Sequence, residues 1–108
     1  MRQMEIKELE QQAERASGLL KAMSNQSRLM ILCQLHTGER SVGELERIIG
    51  LSQSALSQHL ARLRRDHLVK TRREAQTIFY SLHGEEAVRV IKTLYDLYCR
   101  EEQSSIVA

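Results

Sequence analysis

The sequence predicts a mainly α fold with a β-hairpin wing, a winged helix-turn-helix in the order helix, helix, helix-turn-helix, hairpin, helix. Three observations carry this. From Ser41 to Leu63 the chain reads SVGELERIIGLSQSALSQHLARL, two apolar-periodic segments broken at one glycine. Strand-forming residues on either side of a short polar turn follow at once. Between Gln53 and Arg73 there are six Arg or Lys and one acid, Asp66, a local charge of +5 in a chain whose net charge is +2. That layout suits a helix laid in the major groove of DNA, with the charge confined to one face.

Each element has its own signal. Ile6, Leu9, Ala13, Ala16, Leu20 and Met23 recur at spacings of three and four, so residues 5 to 23 read as a helix with a narrow apolar seam. Ser24 or Asn25 can cap a second helix carrying Leu29, Ile31, Leu32 and Leu35, which ends near Gly38. Ser41 and Glu44 make a capping box for the third, whose stripe is Val42, Leu45, Ile48 and Ile49. Gly50 ends it, since glycine accepts the left-handed backbone of a tight turn. Leu51 returns to the core and Ser52 caps the fourth helix, on which Leu56, Leu60 and Leu63 share a face. At about 100° per residue, Ser54, Gln58, Ala61, Arg62 and Arg65 fall on the opposite side. The candidate DNA contacts on this helix are Gln53, Ser54, Ser57, Gln58, Arg62 and Arg65. Glutamine pairs two-pronged with adenine and arginine with guanine.

Residues 68–72 and 77–82 are rich in strand formers and flank a turn at Arg73-Glu74-Ala75-Gln76. Its tip is expected to bring Arg72 and Arg73 to the phosphates or minor groove of flanking DNA. The last helix, from Glu85 to about Arg100, is apolar almost all round: Ala87, Val88, Val90, Ile91, Leu94, Tyr95, Leu97 and Tyr98. A helix apolar on every side is buried on every side. The expectation is therefore a homodimer formed by the first and last helices, presenting two recognition helices to half-sites about 34 Å apart.

Length and composition narrow the class. The 108 residues are expected to form one domain, residues 1–108, with a modest core. The start, MRQMEIKELEQQ, lacks the apolar run of a signal peptide, and no stretch reaches the roughly eighteen apolar residues of a membrane span. A cytoplasmic protein with no membrane partner is expected. Ser, His and Asp are present, but no nucleophile motif surrounds them, so an enzyme is not expected. No cofactor motif is found. The expected partners are double-stranded operator DNA and a second copy of the chain.

The phrases LKAMSNQSRLMILCQL (Leu20 to Leu35), SVGEL, LSQSALSQHLARLRRD and TRREAQTIFYSL resemble the ArsR family of small dimeric bacterial repressors. They are more similar still to its thiol- and persulfide-responsive branch. The resemblance implies that the helix from Gln53 to Arg65 enters the major groove and that Leu68 to Leu82 form the wing. The family's arsenic-type Cys-Val-Cys site is replaced here by Ser41-Val42-Gly43. Its zinc-type site on the last helix is also missing, since Glu85 to Arg100 holds no histidine.

Two cysteines remain, Cys33 and Cys99. From the residues alone, each reads as readily as a small buried hydrophobe. The resemblance implies that they are a regulatory pair. Reactive sulfur species or oxidants would then close a disulfide or polysulfide bridge that lowers operator affinity. His36, one turn from Cys33, and Arg100, beside Cys99, are expected to favour thiolate. The alternative is a metal-responsive repressor using Cys33, His36 and Cys99, ligands acceptable to zinc or a softer ion.

Overall fold

A computed structural model of the chain describes residues 4–99. Its helices are α1 (Ile6–Met23), α2 (Gln26–His36), α3 (Val42–Ile49), α4 (Gln53–Arg65) and α5 (Glu85–Tyr98). Three strands, β1 (Arg40–Ser41), β2 (Val69–Glu74) and β3 (Thr77–Leu82), form an antiparallel sheet in the order β1-β3-β2. Arg100, expected at the end of the last helix, lies outside the described residues.

Local chemistry sets most boundaries. Asn25, rather than Ser24, caps α2 by accepting from the Arg28 amide. Arg28 is itself buried, and its Nε donates to the Ala22 carbonyl at 2.6 Å, so one side chain closes the end of α1 against the start of α2. The capping box of α3 is complete. Ser41 Oγ accepts from the Glu44 amide, and Glu44 accepts from the Ser41 amide at 2.8 Å. That hydrogen bond holds the Glu44 carboxyl below its usual range. Gly50 ends α3 at φ 83°, and Ser52 caps α4 through the Ala55 amide.

The end of α4 has a geometry the residue types did not announce. The Leu68 amide donates to the Leu63 carbonyl and the His67 amide to the Arg64 carbonyl, the paired bonds of a Schellman motif. Its left-handed position is held by His67 at φ 62°, where glycine is the usual residue.

Two strand expectations change. β1 was not anticipated; two residues are too few to show a period, and Ser41 doubles as the α3 cap. The wing ladder also runs further than expected, through the pair Glu74↔Thr77, so the tip is Ala75-Gln76 alone. Arg73 and Glu74, expected in the turn, are therefore strand residues like Arg72. No glycine, asparagine or proline in this segment ends the ladder sooner, and Ala75 takes the left-handed conformation at φ 56° instead.

The core is one cluster. Ile31, Leu32, Leu45, Leu56, Leu63 and Ile91 are fully buried, joined by Leu60, Leu68, Val69 and Ala87. The expectation that α5 is apolar almost all round is corrected: Glu85, Arg89, Lys92 and Asp96 form one polar stripe joined by i,i+4 ion pairs, and the apolar remainder is only partly covered within one chain. Only Ala87 and Ile91 of α5 are buried; Val88, Leu97 and Tyr98 are exposed. The seam of α1 is also uncovered, with Ile6, Leu9 and Leu20 exposed.

Candidate DNA-binding face and thiol pair

With Leu56, Leu60 and Leu63 packed inward, α4 exposes Gln53, Ser54, Ser57, Gln58, Ala61, Arg64 and Arg65. Of the sequence-derived candidates on α4, all but Arg62 lie on this exposed face. Arg62 is only half-exposed and pairs with Asp66 at 3.5 Å. It also lies near the buried Arg28, whose pKa falls first through burial and then through the Arg62 charge. Arg62 thus belongs to the seam between α4 and α2. Arg64, absent from the sequence-derived set, joins the exposed face. Together with Ser57, Ala61, Arg65, Val42 and Tyr80 it lines a hollow between α4 and the sheet. A helical wheel centred on three leucines cannot show which flank of the helix a distant strand will cover.

The wing arginines differ. Strand alternation puts Arg72 and Arg73 on opposite faces of β2. On the face turned toward α4, Val69 and its partner Leu82 pack in the core, with Tyr80 beside them, and Arg73 shares that face at the far end. Arg73 is exposed and makes no ion pair among the described residues. Arg72 lies on the outer face and is fully engaged. Its Nε and Nη2 donate to the two carboxylate oxygens of Glu39 at 2.8 Å each, and its Nη1 donates to Glu74 at 2.8 Å. Its guanidinium carbon lies 4.5 Å from the centre of the Phe79 ring. The two carboxylates raise the pKa of Arg72, Glu39 contributing most. Glu39 is a partner the sequence reading did not pick, being 33 positions away.

The two cysteines lie on packed helices, α2 and α5. Cys33 lies half-buried on α2, and Cys99 caps the C-terminus of α5, exposed. Both are free thiols, and Cys99 lies close enough to Cys33 to act on its charge. Burial is the main cause that pushes the Cys33 pKa up, and the neighbouring Cys99 adds to it. The expected thiolate-favouring setting is therefore not found at Cys33: desolvation opposes the charged form. His36 instead packs at a tilt against Tyr95, ring centres 5.0 Å apart and planes at 54°, one turn along the same α2–α5 contact. Among the described residues, no group of three or more His, Cys, Asp or Glu side chains is placed to hold a metal ion, so His36 does not complete a site with the cysteines. No described helix is long and apolar enough to cross a membrane.

A capped helix-turn-helix whose second helix exposes amide, hydroxyl and guanidinium groups, flanked by a β-hairpin, defines a winged-helix DNA-binding protein. The comparisons narrow this. Residues 25–71 match the family described as bacterial regulatory protein, arsR family. The chain is 55% identical over 100 residues to the transcriptional activator HlyU of Vibrio cholerae, covering 93% of each protein. It is 41% identical over 102 residues to the biofilm growth-associated repressor of Xylella fastidiosa, covering 94% of this chain and 90% of that protein. The crystal structure of HlyU from Vibrio vulnificus superposes with a TM-score of 0.85 at 59% identity, covering 89% of this chain and all of that one. The chain belongs to the ArsR family of bacterial transcriptional regulators. It is a DNA-binding regulator rather than an enzyme.

Proposed function

We propose that the chain is a dimeric repressor that holds operator DNA while Cys33 and Cys99 are reduced and releases it when they are bridged. The observation that carries this reading is the placement of the two free thiols on packed helices, one on α2 inside the DNA-reading half and one at the end of α5. The uncovered apolar residues of α1 and α5 supply the dimer surface. In each subunit Gln53, Ser54, Ser57, Gln58, Arg64 and Arg65 face the major groove, and Arg73 faces flanking phosphates.

The exposed Cys99 meets the inducer first. With a hydroperoxide, its thiolate attacks the outer oxygen, giving a sulfenic acid and an alcohol. The Cys33 sulfur then attacks the Cys99 sulfur, the sulfenic oxygen leaves as water, and two electrons have passed from two thiols to the peroxide. With a polysulfide, Cys99 takes one sulfane sulfur to become a persulfide. Attack by Cys33 on its inner sulfur gives a disulfide and hydrogen sulfide. Two persulfides condensing give a trisulfide with loss of one hydrogen sulfide. Either bridge ties α2 to the helix that carries the dimer contacts, which changes the angle between the two DNA-reading lobes. A coupling of about 3 kcal/mol lowers DNA affinity on the order of a hundredfold.

The test joins mass spectrometry of both cysteines, after separate polysulfide and peroxide treatment, to binding of a DNA duplex selected by the reduced protein from a random library. Bridged wild type should release the duplex, while Cys33→Ser and Cys99→Ser stay bound. Release by Cys99→Ser equal to wild type rules out the two-thiol switch.

A further inference from the structure

We infer that Arg72 is a positioning residue of the wing and not a phosphate ligand: it straps β2 across Phe79 to Glu39 and so sets where Arg73 stands relative to α4.

The register shows what the strap spans. Arg72 pairs with Phe79 on β3, and Phe79 pairs in turn with Ser41 on β1. Glu39 immediately precedes β1, so one guanidinium starting on β2 lies over the ring of the middle strand and ends at the carboxylate beside the far strand. Glu74, two residues along β2 on the same face, takes the remaining side of the fork. Planar, two-pronged pairing with a carboxylate and stacking on a ring are properties of guanidinium that a lysine ammonium lacks.

Three features argue against a phosphate role. The donors of Arg72 are directed at two carboxylates, which a phosphate would have to displace. Arg72 stands on the outer face of the hairpin, opposite the face that packs toward α4. Arg73 stands on that inner face, exposed and without an ion pair among the described residues. A two-stranded ribbon is pliable at its tip, and the strap ties its outer part, at the Arg72↔Phe79 pair, to the segment between α2 and α3. The cost of losing it is misaligned Arg73, not a missing contact.

The two roles make opposite forecasts for Glu39→Gln. If Arg72 bound phosphate, removing its acidic competitor would free it and tighten DNA binding. If Arg72 is a strap, the same change loosens the wing and weakens binding. The experiment measures affinity for the selected duplex across a salt series for wild type, Glu39→Gln, Arg72→Lys, their double variant and Arg73→Ala. Glu39→Gln and Arg72→Lys should each bind about fivefold more weakly, the scale of an exposed ion-pair network. The double variant should be no weaker than the weaker single, because both break one unit. Neither single should change the slope of log affinity against log salt, whereas Arg73→Ala should reduce it by about 0.9, one phosphate contact. Amide exchange of Ala75 in the free protein should quicken in Glu39→Gln. Tighter binding by Glu39→Gln, full affinity in Arg72→Lys, or losses that add in the double variant each overturn the strap. The inference rests on DNA being read by α4, which Gln58→Ala checks separately: full affinity there refutes the α4 reading and leaves the strap result to stand on exchange alone.

Discussion

The DNA-reading half of the molecule and its two terminal helices are built from the same apolar periodicity, yet they end in opposite states. In α3 and α4 most of each stripe closes on partners within the chain: Leu45, Leu56 and Leu63 lose all contact with solvent, and only Ile48 of the α3 stripe stays largely exposed. In α1 and α5 the stripes outrun what the chain can cover: Ile6 keeps 67% of its surface exposed, Leu20 57%, Leu97 63% and Tyr98 69%. An apolar stripe in a sequence thus states that a partner is needed, not where the partner is. The same contrast separates the two wing arginines, neighbours in sequence, one spent inside the protein and one left for something outside it.

The sharpest way to break the comparison is to delete one apolar side chain from each half. Leu56→Ala removes a fully buried side chain and should lower unfolding stability by about 2–5 kcal/mol, measured by urea denaturation. Tyr98→Glu should leave the unfolding of an isolated chain nearly unchanged while shifting sedimentation from dimer to monomer. If Tyr98→Glu destabilises as much as Leu56→Ala and no association is seen, the terminal helices are not the uncovered half.

A smaller effect is expected at the end of α4. His67 bears a side chain in a left-handed position that costs an L-residue roughly 1 kcal/mol or more. His67→Gly should therefore raise stability by about 0.5–1 kcal/mol, less than the strain relieved because glycine is freer in the unfolded chain. A loss of stability would mean that the imidazole, not the backbone, is what that position needs.

The smallest effect sharpens the thiol pair. Burial raises the pKa of Cys33 in the folded protein above its value in the unfolded chain. The folded state therefore holds that proton more tightly. The contribution is complete below the ordinary thiol pKa and is lost as pH rises through the raised folded value. Reduced wild type should lose stability in alkaline solution with a steeper pH slope than Cys33→Ala. In wild type Cys33 should also alkylate more slowly than a free cysteine at neutral pH. Equal slopes and equal rates would show a solvent-like thiol.

What the sequence determined by itself was everything carried by neighbours three or four residues apart. The capping box of Ser41 and Glu44, the Gly50 turn, the Ser52 cap and the inward leucines of α4 all depend on atoms within one helical turn. Short-range geometry is the same in any fold that contains the helix. The cysteines as a pair came from the resemblance to a family, not from their spacing.

The tertiary structure decided the rest. Arg62 turns to Asp66 and toward Arg28 because α2 packs on that flank of α4. Arg72 is used up by Glu39, and β1 exists only because β3 lies beside it. Cys33 and Cys99 are brought near each other because Ile31, Leu32 and Ile91 bury α2 and α5 in one core. Apart from Asp66, one turn from Arg62, each of these partners is dozens of residues away in the chain or lies on another strand. Such pairs form only when hydrophobic burial has repaid the entropy of closing the loop between them, and no local pattern records that balance.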